Sequence, residues 1–96
     1  MLTNKQKKYL RSLAHPLQPI FQVGKGGVNE HQFRHIAEAL ERRELIKVTV
    51  LNNCMEDRDD VAEALADGAD AEVVQTIGKI IVLYKESRDH KKIELP

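Results

Sequence analysis

Three glycines in four positions, Gly24-Lys25-Gly26-Gly27, lead through Val28-Asn29 into a helix-forming run and constrain this chain more than any other stretch. Glycine reaches positive φ without steric cost and lets a ligand come close to backbone N–H groups. Asn29 is a strong N-cap residue, with Gln32 at the capping-box position. Phe33, Ile36, Ala37 and Leu40 follow at i, i+3, i+4 and i+7, which predicts an amphipathic helix to about Arg43. A helix N-terminus gathers unpaired donors and partial positive charge, so the elbow has the ingredients of a phosphate site. The phosphate would belong to a free nucleotide or to a nucleic-acid backbone. A plain strand-to-helix turn is the structural alternative to both.

The flanking sequence places this elbow in an α/β frame. Thr3 and Gln6 form a capping-box pattern at the head of a helix predicted over Asn4–His15. Tyr9, Leu10, Leu13 and Ala14 gather on one of its faces, Lys5, Lys8 and Arg11 spread over the other, and Pro16 ends it. Pro19–Val23 is a short apolar strand leading into the elbow. Leu45–Leu51 is rich in β-branched residues, with Ile46, Val48 and Val50 alternating against Lys47 and Thr49. Val61, Ala62, Leu65, Ala66 and Ala69 mark a third helix, with Gly68 near its end. Glu72–Ile77 and Lys79–Lys85 are strands joined at Gly78. The order is helix, then β-α-β-α-β-β, and implies one compact α/β domain with a mixed sheet covered by helices. Residues 1–86 form that domain, and residues 87–96 are expected to be a charged, frayed or partner-dependent tail.

Charge is distributed unevenly although the net formal charge is zero. Residues 1–50 hold nine Lys/Arg against four Asp/Glu, and residues 51–96 hold six against eleven. Eight of those carboxylates fall within Glu56–Glu72, where Arg58 is the only cation. The split fits a basic face for a polyanion and an acidic face with another use, and equally fits two solvated surfaces. No apolar run approaches the roughly 20 residues of a membrane span. The basic N-terminus is not followed by the apolar segment of a secretory signal, so the expected location is the cytoplasm. Cys54 is the only cysteine, which excludes an intrachain disulfide and a multi-cysteine zinc site.

Taken in order, these residues resemble the stand-alone bacterial CRM domain, the chloroplast RNA splicing and ribosome maturation family of YhbY type. The resemblance runs through Leu2-Thr3, Lys5-Gln6, Lys7-Lys8-Tyr9-Leu10-Arg11 and Ala14-His15, then the Val23–Val28 loop. It continues through Ala39-Leu40, Glu44–Val48, Ile77-Gly78 and Ile80–Tyr84, about residues 2 to 85 in all. The resemblance implies a fold similar to the C-terminal domain of translation initiation factor three, with a four-stranded mixed sheet and three main helices. It also implies association with precursors of the large ribosomal subunit, and a GxxG loop similar to the one by which KH domains clamp nucleic-acid backbone. One departure is that Gly24-Lys25-Gly26-Gly27 has a single basic residue between its outer glycines, where members often carry two polar or basic ones.

The expected function is therefore non-catalytic binding of structured ribosomal RNA during maturation of the large subunit. Gly24, Gly26 and Gly27 would bring backbone against phosphates, and Lys25 would add a mobile cation. Lys5, Lys7, Lys8 and Arg11 of the first helix and Arg34 of the second are the further candidate contacts, with Arg42 and Arg43 as weaker ones. Lys47 and Lys79 would extend the patch if they face it. Phe21 and Phe33 read as core, leaving no exposed aromatic pair for base stacking. No cofactor or metal is expected: His31 and His35 stand at i, i+4 without a third ligand, and Cys54 and His15 lack activating partners. A monomer in contact with RNA, and with ribosomal proteins as further partners, is the expected state. Two rivals stand beside this reading. One is an adaptor that meets a basic protein through the acidic 56–72 segment. The other, a nucleotide-binding enzyme, fails on spacing, because a phosphate loop of that kind needs four residues between its glycines and then Lys-Ser/Thr.

Overall fold

A computed structural model describes residues 1–96. Its elements are α1 (Asn4–Ala14), β1 (Phe21–Val23), α2 (Glu30–Arg43), β2 (Leu45–Val50), α3 (Arg58–Ala69), β3 (Glu72–Ile77) and β4 (Ile80–Tyr84). One four-stranded sheet has the order β1-β2-β4-β3, with β1 parallel to β2 and β4 antiparallel to both β2 and β3. Strands β1, β2 and β3 therefore all run the same way, each of the first two followed by a helix, as the α/β reading required. No helix is long and apolar enough to cross a membrane.

The last strand in the chain is central in space, and its composition explains why. Ile81 and Leu83 face α2 and α3, joining Ile46, Val48, Val50, Ile36, Leu40 and Leu65 in the larger core. Val82 and Tyr84 face the other way, joining Leu10 and Ala14 of α1 with Leu45 and Val74. A strand buried on both faces reads as a continuous apolar run, which is what Ile80–Tyr84 is. The α2/α3 side closes tightly at Gly68, where any Cβ would stand 2.5 Å from the Phe33 ring. Gly68 thus serves helix packing, and the left-handed residue that ends α3 is Asp70, at φ 55°.

Local signals hold at most element ends. Thr3 and Gln6 form the reciprocal capping box on α1, at 3.0 and 3.1 Å. Asn29 caps α2 through Gln32 N–H at 2.9 Å, but the box is not completed: the Gln32 side-chain amide donates instead to the Gln22 carbonyl at 3.1 Å. Helix α3 begins at Arg58, ahead of the apolar pattern that marked it. Tyr9, grouped by spacing with the apolar face of α1, lies at its margin and is exposed, while Leu10 and Ala14 are buried.

The C-terminal segment overturns the expectation of a frayed tail. It has no regular secondary structure, yet Ile93 and Leu95 pack against the α1-side core. The anchor is a pair of carboxylates at the end of α2. Glu44 is fully buried and accepts backbone N–H donors from Ser87, Lys92 and Ile93 at 2.7–2.8 Å. Glu41 accepts the Ser87 hydroxyl at 2.7 Å and the Arg88 and Asp89 amides at 3.0 Å. Burial alone would raise the Glu44 carboxyl, but those three amides, with the charge of Lys91, bring it below its ordinary range. The Arg88 amide and Ser87 hydroxyl, then the Asp89 amide, lower Glu41 from 4.5 to about 2. Glu44 holds φ 64°, a conformation that L residues adopt at a cost of roughly 1–2 kcal/mol, and the bonds to the tail hold it there.

Candidate nucleic-acid interface

The elbow lies where β1 ends, beside the segment that follows β2. Gly27 N–H donates to the Gly24 carbonyl at 3.0 Å, closing a turn that presents Lys25 and Gly26 to solvent. Gly27 has φ +67°, so glycine is required by the backbone itself. Gly24 is closely packed: a Cβ would stand 3.3 Å from Asn53 Oδ1, on an exposed side chain, and 3.4 Å from Leu51 Cδ1. Gly26 has open space around it. Beyond the turn, the N-terminus of α2 is capped only by Asn29. This is the carboxyl end of a set of parallel strands, where open α/β sheets place their ligands.

The cations divide by whether the protein already uses them. Lys47 Nζ donates to the carbonyls of His15 and Leu17 at 3.3 and 3.0 Å, satisfying the end of α1. Lys79 is bonded to the Asn52 side chain, and Arg58 to Asp59 and the Gly78 carbonyl. Lys85 and Lys91 face Asp70 and Glu86. Lys47 and Lys79 thus have their ammonium donors engaged within the protein, although neutral oxygens leave their charges in place. By contrast, Lys5, Lys7, Lys8, Arg11, Lys25 and Arg34 have no ion pair and no side-chain hydrogen bond within the protein, and neither do Arg42, Arg43, Arg88 and Lys92 at the far end of α2 and in the C-terminal segment. All but the half-buried Lys7 are exposed.

These free cations occupy separate places. Lys25 tops the β1 edge. Lys5, Lys8 and Arg11 line the outer face of α1, on the opposite side of the sheet from α2. Leu2 N–H bonds Glu72 at the start of β3, and Lys47 in the middle of β2 holds the other end of α1, so that helix rises toward the elbow's end of the sheet. Arg11 is therefore nearer that end than Lys5. Arg34 lies on the flank of α2, in a shallow depression with Glu38, Glu41, Arg42 and His90, toward the C-terminal segment. Tyr9, missed as a surface residue, stands exposed among the α1 cations. The deviation from strict i, i+3, i+4 spacing at Tyr9, one residue ahead of Leu10, is the signal that could have found it.

His31 and His35 lie in tilted contact, with ring centroids 4.2 Å apart and planes at 54°, and no group of three His, Cys, Asp or Glu side chains converges in metal-binding geometry. Carboxylates stand close to the elbow, with Glu56 Oε2 3.4 Å from where a Gly27 Cβ would lie. The acidic residues of α3 lie on its exposed face, among them Asp59, Asp60, Glu63 and Asp67.

Comparison with known proteins agrees on one family. The profile of the CRS1/YhbY (CRM) domain matches residues 2–85. A Bacillus subtilis (strain 168) protein named "Probable RNA-binding protein YqeI" is 68% identical over 96 residues, covering 100% of both chains. A Haemophilus influenzae protein named "RNA-binding protein" is 41% identical over 95 residues, 99% of this chain and 95% of its own. The solution structure of the hypothetical protein SAV1595 from Staphylococcus aureus superposes with a TM-score of 0.83 at 56% identity over 100% of both chains.

Proposed function

The chain belongs to the CRS1/YhbY (CRM) domain family, and from that premise we propose that it is a non-catalytic RNA-binding protein acting in maturation of the large ribosomal subunit. The relatives' names support the RNA-binding part, and the resemblance of the domain to its ribosome-associated members supports the rest. The observation that carries the reading is the separation of cations. Those outside the elbow and α1 that face the sheet or hairpin are tied to the protein, while Lys5, Lys8, Arg11 and Lys25 are exposed and unpartnered.

The mechanism follows from charge and backbone geometry. Gly24, Gly26 and Gly27 let the elbow approach a sugar-phosphate backbone, and Lys25 neutralises a phosphate there. Lys5, Lys8 and Arg11, with Lys7 beside them, engage a second stretch of backbone, and Arg34 a flanking one. Binding releases counterions, reads shape ahead of sequence and needs no cofactor. Residues 1–86 carry these contacts, and residues 87–96 act as a strap on the domain. The protein works as a cytoplasmic monomer and leaves once ribosomal proteins complete the surface.

Binding to purified precursor large-subunit particles across a salt series tests this. Lys25→Ala and the Lys5→Ala/Lys8→Ala pair are expected to bind more weakly, with a salt slope shallower by about 1 per lost phosphate contact. Folded variants with unchanged binding would move the interface to the acidic face of α3 and a protein partner. Equal binding to precursor and mature particles would remove the assembly role.

A further inference from the structure

The α1 face of the sheet is only partly covered, and the bare part has a defined character. Gln75 pairs with Val82, and Ile77 with Ile80, so all four share the α1 side of the sheet. Leu10 and Ala14 cover Val82, Val74 and Tyr84, the half-buried Ile80 packs at the edge of this core, and Ile77 beyond it is left exposed. There a cleft of about 700 Å³ opens between Arg11 and Ser12 of α1, with His15 at its C-cap, and the strand residues Gln75, Ile77 and Ile80. Ile77 is 58% exposed, unusual for a β-branched residue in a strand. No carboxylate lines the cleft, although the chain carries fifteen.

From this we propose that the cleft receives one unstacked nucleotide of a single-stranded segment flanking the RNA structure bound at α1 and the elbow. The inference rests on the reading of the chain as an RNA binder. Ile77 and Ile80 form an aliphatic floor against which a base can lie flat. The Gln75 amide, half-buried and without a protein hydrogen bond, offers a donor and an acceptor to the base edge. Arg11 and the charge of Lys47 set a positive potential at the mouth, which favours a phosphate over an acidic-poor peptide segment. Arg11 belongs to both surfaces, so the cleft continues the basic face of α1 and does not form an isolated pocket. Duplex RNA stays on the phosphate contacts, and the cleft selects RNA in which a helix meets a single strand.

The test compares wild type with Ile77→Ser and Gln75→Ala, both at positions outside the buried core. Each is measured against an RNA duplex and against the same duplex carrying a single-stranded uridine extension. Wild type should bind the extended RNA more tightly, and Ile77→Ser should lose about tenfold of that affinity with duplex binding unchanged. A 4-thiouridine in the extension should cross-link to residues of β3, β4 or the second half of α1. Wild-type affinity of both variants for the extended RNA, with cross-links elsewhere, overturns the cleft while leaving RNA binding intact. Failure of the wild type to bind either RNA overturns the reading beneath it. If Ile77→Ser loses association with ribosomal particles while binding both RNAs normally, the occupant is protein and the proposal falls.

Discussion

At its C-terminal end, α2 supplies Glu41 and Glu44, and five backbone amides of residues 87–93 point at their oxygens. At its N-terminal end, the same helix meets a glycine turn and one Asn cap, and Lys25 stands free in solvent. The two ends use the same attraction, oxygen anion to backbone N–H. At one end the protein provides both partners and the contact is closed within the fold. At the other, Lys25 and the turn lie open to solvent, with the carboxylates of Glu30 and Glu56 nearby but none bonded to Lys25. The proposed function assigns binding to the second end and leaves stability to the first, and substitutions should separate them on that basis.

The largest effect is expected at the closed end. Glu44→Ala leaves the Ser87, Lys92 and Ile93 amides without their acceptor and should lower stability by about 3 kcal/mol, read from denaturant midpoints. Glu44→Gln keeps one acceptor oxygen and should lose less. A wild-type midpoint for Glu44→Ala would mean that the strap contributes nothing to the fold. At the open end, Gly27→Ala meets a positive φ and should cost about 1 kcal/mol, whereas Gly26→Ala, in open space, should be close to neutral.

Lys25→Ala sharpens the contrast further. RNA affinity should fall by about threefold to tenfold while thermal stability stays that of the wild type, because Lys25 is exposed and makes no ion pair within the protein. A matching drop in stability would erase the distinction between the two ends. The smallest effect is local and acid-dependent. Glu41 is held at about 2 by the Arg88 amide, the Ser87 hydroxyl and the Asp89 amide, so its contribution is complete above the usual 4.5 and fades as pH falls toward 2. Amide exchange at residues 87–90 should accelerate over that interval, ahead of any change in β4. Equal acceleration in both places would mean that the strap does not loosen independently.

The sequence made the open end legible and concealed the closed one. Periodicity, N-caps and glycine are local signals, and they located all seven elements, the Thr3/Gln6 box and the turn before α2. The Glu41 and Glu44 contacts join residues 43 to 49 positions apart and use backbone donors of a segment with no apolar period, so no pattern announces them. The same holds for the cations. Lys47 and Lys79 look no different in sequence from Lys25, and only the fold shows that α1 carbonyls and Asn52 occupy them. Gly68 beside a helix end resembles a cap signal, while its observed use is to admit Phe33. Gln32 sits at a capping position, but a carbonyl ten residues back competes for its amide.

The position of β4 also sets a timetable. It is the last strand to be synthesised, and both β2 and β3 pair with it and not with each other. A nascent chain that has not reached Ile80 holds a β-α-β unit and a loose strand, with two half-cores and nothing between them. Ile81 and Leu83 then complete one side, and Val82 and Tyr84 the other. No half of such a fold stands alone, and any break in Ile80–Tyr84 undoes both cores together.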